Sequence, residues 1–148
     1  MLEHKSARRD YEIIDRLEAG IELLGAEVKS LRSGRGILTG SRVIVRGEEV
    51  FAVGIQIPPY QAANSPTDFD ASRTRRLLLT KREIATLAGL ESRKGFTLIP
   101  LSIYTKGKKL KLELGVVKGK KKYDKREDIK KREDQRAMQR ALKRHVRS

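Results

Sequence analysis

The sequence predicts a mainly β protein with short helices, built as a small closed barrel of about six strands with a basic C-terminal tail. Three observations carry this prediction. Apolar residues alternate with polar ones in several short segments, turn residues separate those segments, and the excess positive charge is concentrated at the C-terminal end. A chain of 148 residues is long enough for one domain and an extension, but too short for two separate cores. Closure is expected because an open sheet of this size would expose its edges.

The strands are predicted from an apolar period of two. Leu110, Leu112, Leu114 and Val116 alternate with Lys111 and its neighbours, as expected for a half-buried strand. Gly47-Glu48-Glu49 and Lys106-Gly107-Lys108 have the composition of hairpin turns. In chain order, the predicted strands are Leu17–Leu23, Arg42–Arg46, Val50–Ile57 with Phe51, Val53, Ile55 and Ile57 on one face, Arg76–Thr80, Ile99–Ile103 and Leu110–Val116.

Two or three helices are expected to flank or plug this barrel. Ala26–Ser33 places Val28 and Leu31 on one face, and glycines follow it as terminators. Thr80-Lys81-Arg82-Glu83 has the spacing of a capping box and precedes apolar residues at helical intervals. Between the predicted strands, Pro58–Arg75 is a long polar loop that we expect to order on binding a ligand.

The charge divides the chain into two parts. There are 34 Lys and Arg residues against 19 Asp and Glu, a net charge of +15 with a sequence pI near 10.3. Residues 118–148 contain 14 basic and 5 acidic side chains, a net charge of +9, which leaves +6 for residues 1–117. We therefore predict a folded body over 1–117 and a tail over 118–148 that is disordered when free and helical when bound. Such an imbalance indicates an anionic partner, most simply nucleic acid.

Composition excludes several other classes of function. The chain has no cysteine, and its two histidines, His4 and His145, lie near opposite ends. We find no metal-ligand spacing, no nucleophile with a base and no phosphate loop, so we expect no catalytic residues, no metal and no cofactor, and hence no enzyme. No apolar stretch is long enough to span a bilayer and no signal peptide is evident, so we expect a cytoplasmic protein without a membrane partner. We also expect the protein to be a monomer.

Three sets of residues are candidates for contact with nucleic acid. Five basic residues lie between the long loop and a predicted helix, and they favour a rim that contacts phosphates. Next to them, at least one leucine of Leu77–Leu79 is expected to be exposed, because consecutive strand residues face opposite sides. In the tail, a lysine run ends at Tyr123, whose ring could stack on a base or instead pack on the barrel. The five basic residues are Arg73, Arg75, Arg76, Lys81 and Arg82, and the tail adds an arginine stripe at Arg132, Arg136, Arg140 and Arg144.

Six ordered strings closely resemble those of the bacterial SsrA-binding protein family, also called small protein B. The resemblance extends from about Lys5 to the end of the tail. Each string alone is weak, but the six in order are highly specific. They are Ala7-Arg8-Arg9-Asp10-Tyr11, Glu18-Ala19-Gly20-Ile21, Glu27-Val28-Lys29-Ser30-Leu31-Arg32, Arg73-Thr74-Arg75-Arg76-Leu77-Leu78-Leu79, Lys81-Arg82-Glu83-Ile84 and Gly119-Lys120-Lys121-Lys122-Tyr123-Asp124-Lys125-Arg126.

This resemblance implies a fold, a function and partners. The implied fold is an oligonucleotide-binding-type (OB-like) β-barrel. The implied function is to bind the tRNA-like domain of transfer-messenger RNA (tmRNA) and deliver it to stalled ribosomes in trans-translation, so that the nascent peptide is tagged for degradation. The implied partners are tmRNA and the small-subunit rRNA of the decoding centre and mRNA channel, which the tail probes. Elongation factor Tu and alanyl-tRNA synthetase are implied as indirect partners through charged tmRNA.

The resemblance also assigns residues. Glu18 and Leu78 match positions that the family uses against the RNA, and a carboxylate there can accept hydrogen bonds from base amino groups. The remaining tmRNA-binding candidates are Gly20, Lys29, Arg32, Arg73, Arg75 and Arg76, and the tail motif comprises Lys120, Lys121, Lys122, Tyr123, Asp124, Lys125 and Arg126. The chain departs from the family pattern at His4, where many members have Asn, and has Tyr123 where the family varies between His and Tyr.

One alternative function fits the composition equally well. A ribosomal or ribosome-assembly protein would also combine an RNA-binding barrel with a basic tail that threads rRNA. Such a protein should copurify stoichiometrically with ribosomal subunits in high salt. A rescue factor should be substoichiometric and bring down one abundant RNA with a tRNA-like end.

Overall fold

Seven antiparallel strands and three short helices form the part of the chain that this computed structural model describes, residues 2–60 and 69–119. The predicted class, mainly β with short flanking helices, is confirmed. In chain order the elements are β1 (Leu2–Glu3), α1 (Ala7–Asp10), β2 (Tyr11–Ile21), α2 (Gly25–Arg32), β3 (Arg42–Arg46), β4 (Glu49–Val53), β5 (Arg75–Leu78), α3 (Lys81–Glu91), β6 (Phe96–Lys106) and β7 (Lys109–Gly119).

Six of the strands close into a ring. The order around it is β6-β3-β4-β5-β2-β7, and β7 pairs again with β6. The short strand β1 adds to β6 through the pair Leu2 and Ile103, next to a register irregularity in β6 after Pro100. The closed ring is consistent with an OB-like fold and removes most free sheet edges. The sequence analysis missed β1 and α1, because elements of two and four residues are too short to leave a periodic pattern.

The core fills the interior of the ring and is closed by two helices. Leu31 of α2 and Leu87 of α3 have no accessible surface, and both belong to the main apolar cluster. Burial of a leucine side chain contributes roughly 1.5–3 kcal/mol, so each helix is held to the ring by packing. As predicted, Thr80 caps α3: its side chain accepts from the Glu83 N–H, and Glu83 accepts from the Thr80 N–H at 2.9 Å. No helix among residues 2–60 and 69–119 has the length and apolar character needed to cross a bilayer.

One predicted strand face is wrong. The sequence pattern placed Phe51 and Val53 on the same face as Ile55 and Ile57, but β4 ends at Val53 and its core residues are Val50 and Ala52. Gly54 has a φ of +86°, a conformation that favours glycine, and the chain turns there. Ile55 and Ile57 are fully buried after this turn, because the change of direction reverses which residues face the core.

The structure also refines the end of the body. Strand β7 continues to Gly119, where Lys118 pairs with Phe96 and Gly119 pairs with Tyr11. The Lys118 ammonium lies 5.6 Å from the centre of the Phe96 ring, a cation–π distance. Residues 120–148 lie outside the described residues, so the proposed behaviour of the tail stays a prediction.

Candidate RNA-binding surface

The outer face of strands β2, β7 and β6 brings together residues that are far apart in the chain. Strand pairing places Gly20 opposite Lys111, and Lys111 opposite Tyr104. Because side chains alternate along a strand, the neighbours Ala19, Leu112 and Ile103 point into the core, and the intervening residues face outward. Leu78 of β5 and Arg32 of α2 line one cleft together with Gly20 and Lys111. We call the combined set the Glu18 surface, which consists of Glu18, Gly20, Arg32, Leu78, Tyr104, Lys106 and Lys111.

Glu18 is held in place on this surface by two donors. The Tyr104 hydroxyl donates to its carboxylate at 2.5 Å, and the Lys106 ammonium lies 3.1 and 3.3 Å from the two carboxylate oxygens. The hydrogen bond from Tyr104, followed by that from Lys106, lowers the pKa of Glu18. Partial burial and the hydrogen bond to Glu18 raise the pKa of Tyr104 to about 12. At neutral pH, Glu18 is therefore an ionised acceptor with a fixed orientation, suited to base amino groups.

Leu78 projects from the ring beside Gly20. The two residues are paired between β5 and β2, and the Leu78 side chain is 48% exposed. A Cβ on Gly20 would lie 3.1 Å from the Leu78 Cβ, closer than most real Cβ contacts, so Leu78 would have to shift by a few tenths of an ångström. The absence of a side chain at Gly20 thus lets Leu78 lie over β2. The prediction that at least one leucine of the Leu77–Leu79 run is exposed is confirmed by Leu78, whereas Leu77 is buried.

Next to Leu78 there is a cleft lined by both apolar and basic residues. Its volume is about 270 Å³. Arg32, one of the basic lining residues, donates to the Lys108 carbonyl at 2.9 Å, which links α2 to the β6–β7 turn. The apolar lining residues are Gly20, Ile21, Leu23, Val28, Leu78 and Leu110, and the basic ones are Arg32, Lys108, Lys109 and Lys111. Apolar surface for a base and cations for its phosphate are the two features that RNA binding combines.

A second carboxylate, Glu27 of α2, lies inside the protein with two arginines, and we call these three residues the Glu27 cluster. Glu27 is 1% exposed and Arg75 has no exposed surface. Arg75 approaches the Glu27 carboxylate to 2.7 Å, and Arg73 approaches it to 2.6 Å. Arg75 also donates to the carbonyls of Ile55 and Ala71 at 2.7 and 3.1 Å. Burial alone would raise the pKa of Glu27, but hydrogen bonds from Arg73, the Leu24 N–H and Arg75 outweigh it and lower the pKa.

The structure therefore separates the predicted arginine rim into two groups. Arg75 is buried, and a side chain without accessible surface offers nothing to a phosphate, which argues against the predicted direct contact with RNA. Arg73 is about one-third exposed but is engaged with Glu27. Arg76 points outward with Leu78 and approaches Glu22 only at 3.6 Å. Strand alternation causes the split, because consecutive residues of β5 must face opposite sides.

The other predicted residues fall as follows. Lys29 and Arg32 lie on the exposed face of α2. Lys81 and Arg82 are exposed in the first turn of α3. The tail candidates, from Lys120 through Tyr123 to Arg144, lie outside the described residues. His4 is buried, its backbone N–H donates to the Leu101 carbonyl at 2.8 Å, and its Nδ1 has no hydrogen-bond partner among the described residues.

Sequence reasoning missed Tyr104 and Lys106 as partners of Glu18. Alternation with the apolar Ile103 does predict that both side chains face outward. It does not predict that they lie across β7 from Glu18, because that position depends on a strand order that links residues more than 80 positions apart. Local periodicity carries no information about such pairing.

A closed ring of antiparallel strands with a basic outer face that also carries a leucine and an oriented carboxylate defines the class of a small nucleic-acid-binding β protein. Comparison with known proteins gives the particular family. The model for the SmpB protein family matches residues 1–144. This chain belongs to that family.

Individual relatives agree. The chain is 50% identical over 145 residues to an SsrA-binding protein of Chloroflexus aggregans, covering 98% of this chain and 92% of that one. It is 46% identical over 142 residues to an SsrA-binding protein of Microcystis aeruginosa, covering 96% and 92%. A solved structure described as "tmRNA-SmpB: a journey to the center of the bacterial ribosome" is similar with a TM-score of 0.69 and 43% identity, covering 82% of this chain and 85% of that one.

Proposed function

We propose that this protein binds the tRNA-like domain of tmRNA through the Glu18 surface and accompanies it to stalled ribosomes, as a non-enzymatic factor of trans-translation in the cytoplasm. The observation that carries the proposal is the position of Glu18. A carboxylate on a basic surface repels phosphates, so its fixed orientation by Tyr104 and Lys106 makes sense if it accepts hydrogen bonds from bases.

Membership of the SmpB family supports this function over the alternative of a ribosomal or ribosome-assembly protein. The relatives are named for binding SsrA, and the similar solved structure concerns tmRNA and the ribosome. Contact of charged tmRNA with elongation factor Tu and alanyl-tRNA synthetase, and action of this protein as a monomer, belong to the same proposal.

The proposal divides the work between body and tail. The body, with the Glu18 surface, selects tmRNA, while the tail probes the empty decoding centre and mRNA channel. The tail contains most of the excess charge, net +9 over residues 118–148, and so provides salt-dependent attraction to rRNA phosphates. Tyr123 adds a ring that can stack on a base. Through charge and stacking, the tail can then detect an mRNA channel that holds no codon without forming base pairs.

A truncation tests this division. Because Lys118 and Gly119 pair within β7, the chain should be cut after Gly119 to leave the ring intact. We expect the truncated protein to bind the isolated tRNA-like domain within about threefold of the full chain, because the body makes the selective contacts. Peptide tagging in a reconstituted system with stalled ribosomes should be abolished. A truncated body that loses affinity for the isolated domain would contradict the division.

Identification of the bound RNA tests the function itself. We expect the protein purified in high salt to carry one predominant RNA with a tRNA-like end, identified by sequencing. Stoichiometric recovery of ribosomal subunits instead would favour the ribosomal-protein alternative.

A further inference from the structure

A second cleft shares Arg32 with the cleft beside Leu78. Its volume is about 450 Å³, and its lining residues are Lys29, Arg32, Ser33 and Tyr60. Arg32 lines this cleft as well as the cleft beside Leu78, so the two are neighbours on one continuous surface. We call the new site the Tyr60 cleft.

Tyr60 combines a backbone held by hydrogen bonds with an exposed side chain. The Arg35 guanidinium donates to the carbonyls of Pro59 and Tyr60 at 3.3 and 3.1 Å, and the Ser30 hydroxyl donates to the Pro58 carbonyl at 2.5 Å. Two successive prolines further restrict this segment. The Tyr60 side chain is nevertheless 42% exposed. A ring on a fixed backbone loses little conformational entropy when it stacks on a ligand.

The charge that the described residues place around the ring is positive. Lys29 and Arg32 lie on the exposed face of α2, and no carboxylate of the described residues is within 4 Å of either cation. The nearest acidic residue in α2, Glu27, is buried and engaged with Arg73 and Arg75. An exposed aromatic ring beside two such cations fits a nucleotide, which offers a base for stacking and a phosphate for the cations.

From this geometry we infer that the Tyr60 cleft is a second RNA contact, in which Tyr60 stacks on one unpaired base of the tRNA-like domain and Lys29 and Arg32 bind the flanking phosphates. The inference rests on the proposed function, and it extends the RNA-binding surface past Arg32 to a residue that nothing in the sequence pattern singled out. Stacking is tolerant of base identity, so the cleft adds affinity and orientation, while Glu18 provides selectivity.

Affinity measurements on the full chain test this inference. With the transcribed tRNA-like domain as probe, we expect Tyr60→Ala to raise the dissociation constant about 5- to 150-fold. Tyr60→Phe should stay within about twofold of the unchanged protein, because the ring remains. Ile37→Ala removes a side chain of similar exposure outside the cleft and serves as the matched control.

The salt dependence separates stacking from charge. Tyr60→Ala should leave the slope of log Kd against log salt unchanged, whereas Lys29→Ala and Arg32→Ala should each reduce it by about 1.

A Tyr60→Ala variant that binds the isolated domain within about twofold of the unchanged protein would overturn the inference, as would a loss seen only on ribosomes. If Glu18→Gln is weakened in that same experiment, the proposed function stands without the second contact. If even the unchanged protein fails to bind the domain, the proposed function fails as well.

A fluorescent reporter gives an independent readout. The chain has no tryptophan, so Tyr60→Trp introduces a single one. We expect its emission to be quenched when the tRNA-like domain binds, since a stacked base quenches an indole. Ile37→Trp should be unaffected, and equal quenching at both positions, or none at position 60, would contradict stacking in the cleft.

Discussion

Two carboxylates in this protein are each held by two donating side chains, but one is exposed and the other is buried. Glu18 lies on the surface with Tyr104 and Lys106, and Glu27 lies in the interior with Arg73 and Arg75. Both have a lowered pKa and both are ionised at neutral pH. The difference is access: the donors around Glu27 hold it inside the fold, whereas those around Glu18 hold it out towards a partner. A cluster of charges therefore indicates stability or binding only when its burial is known.

The largest effect should come from breaking the Glu27 cluster. Glu27→Gln keeps the size of the side chain but leaves Arg75 buried without a compensating charge, which should reduce the free energy of unfolding by about 3–5 kcal/mol. Urea denaturation of the full chain measures this loss. Glu22→Gln, which removes a half-exposed carboxylate facing Arg76, is the matched control and should change the same quantity by less than about 0.5 kcal/mol.

A double variant sharpens this test. Replacing both partners, as Glu27→Leu with Arg75→Met, should cost less stability than Glu27→Gln alone, because no buried charge is left unpaired. If the double variant is destabilised as much as Glu27→Gln alone, shape rather than charge holds the cluster together.

The same cluster predicts how stability depends on pH. The pKa of Glu27 is lower in the folded protein than its ordinary value of about 4.3, so its contribution is fully present above that value. The contribution is lost as the pH falls through the folded pKa. The difference in unfolding free energy between the unchanged protein and Glu27→Gln should thus be constant near neutrality and narrow below about pH 4. A difference that widens on acidification would reverse the assigned direction of the shift.

Arg75 and Arg76 show how far sequence reasoning reaches. Alternation predicts most of the ring strands and the rule that these two arginines face opposite sides. It does not predict which one is buried, because three consecutive leucines follow and give no polar face to orient the strand. That choice depends on Glu27, which belongs to another element 48 residues away. The capping box of α3 was predictable because all its atoms lie within four residues.

Replacement of Glu18 should affect RNA binding and leave stability unchanged, the reverse of the effect expected for Glu27. We expect Glu18→Gln to weaken binding of the tRNA-like domain about 5- to 100-fold, since an amide replaces one acceptor oxygen with a donor. The urea midpoint should stay unchanged. The loss would be informative because removal of a negative charge should by itself strengthen the attraction to RNA.

Glu113→Gln is the matched control for this experiment. Glu113 lies directly opposite Glu18 on the neighbouring strand and is paired with Arg16 at 3.2 Å. Its replacement should leave RNA affinity unchanged or slightly increased. Equal losses in both variants would mean that general surface charge, and not the oriented Glu18 carboxylate, governs binding.

The smallest effect should come from Tyr104, which we expect to position Glu18 rather than to contact RNA. Tyr104→Phe removes the hydrogen bond that contributes most to the lowered pKa of Glu18. The pKa of Glu18, followed by NMR titration of its side-chain carboxyl, should therefore rise towards its ordinary value. Affinity for the tRNA-like domain should fall only about 2- to 10-fold, because Lys106 still holds the carboxylate.

Combining Tyr104→Phe with Glu18→Gln should add little to the loss caused by Glu18→Gln alone, since a positioning residue acts through the group that it positions. Fully additive losses would instead place Tyr104 itself in contact with the RNA.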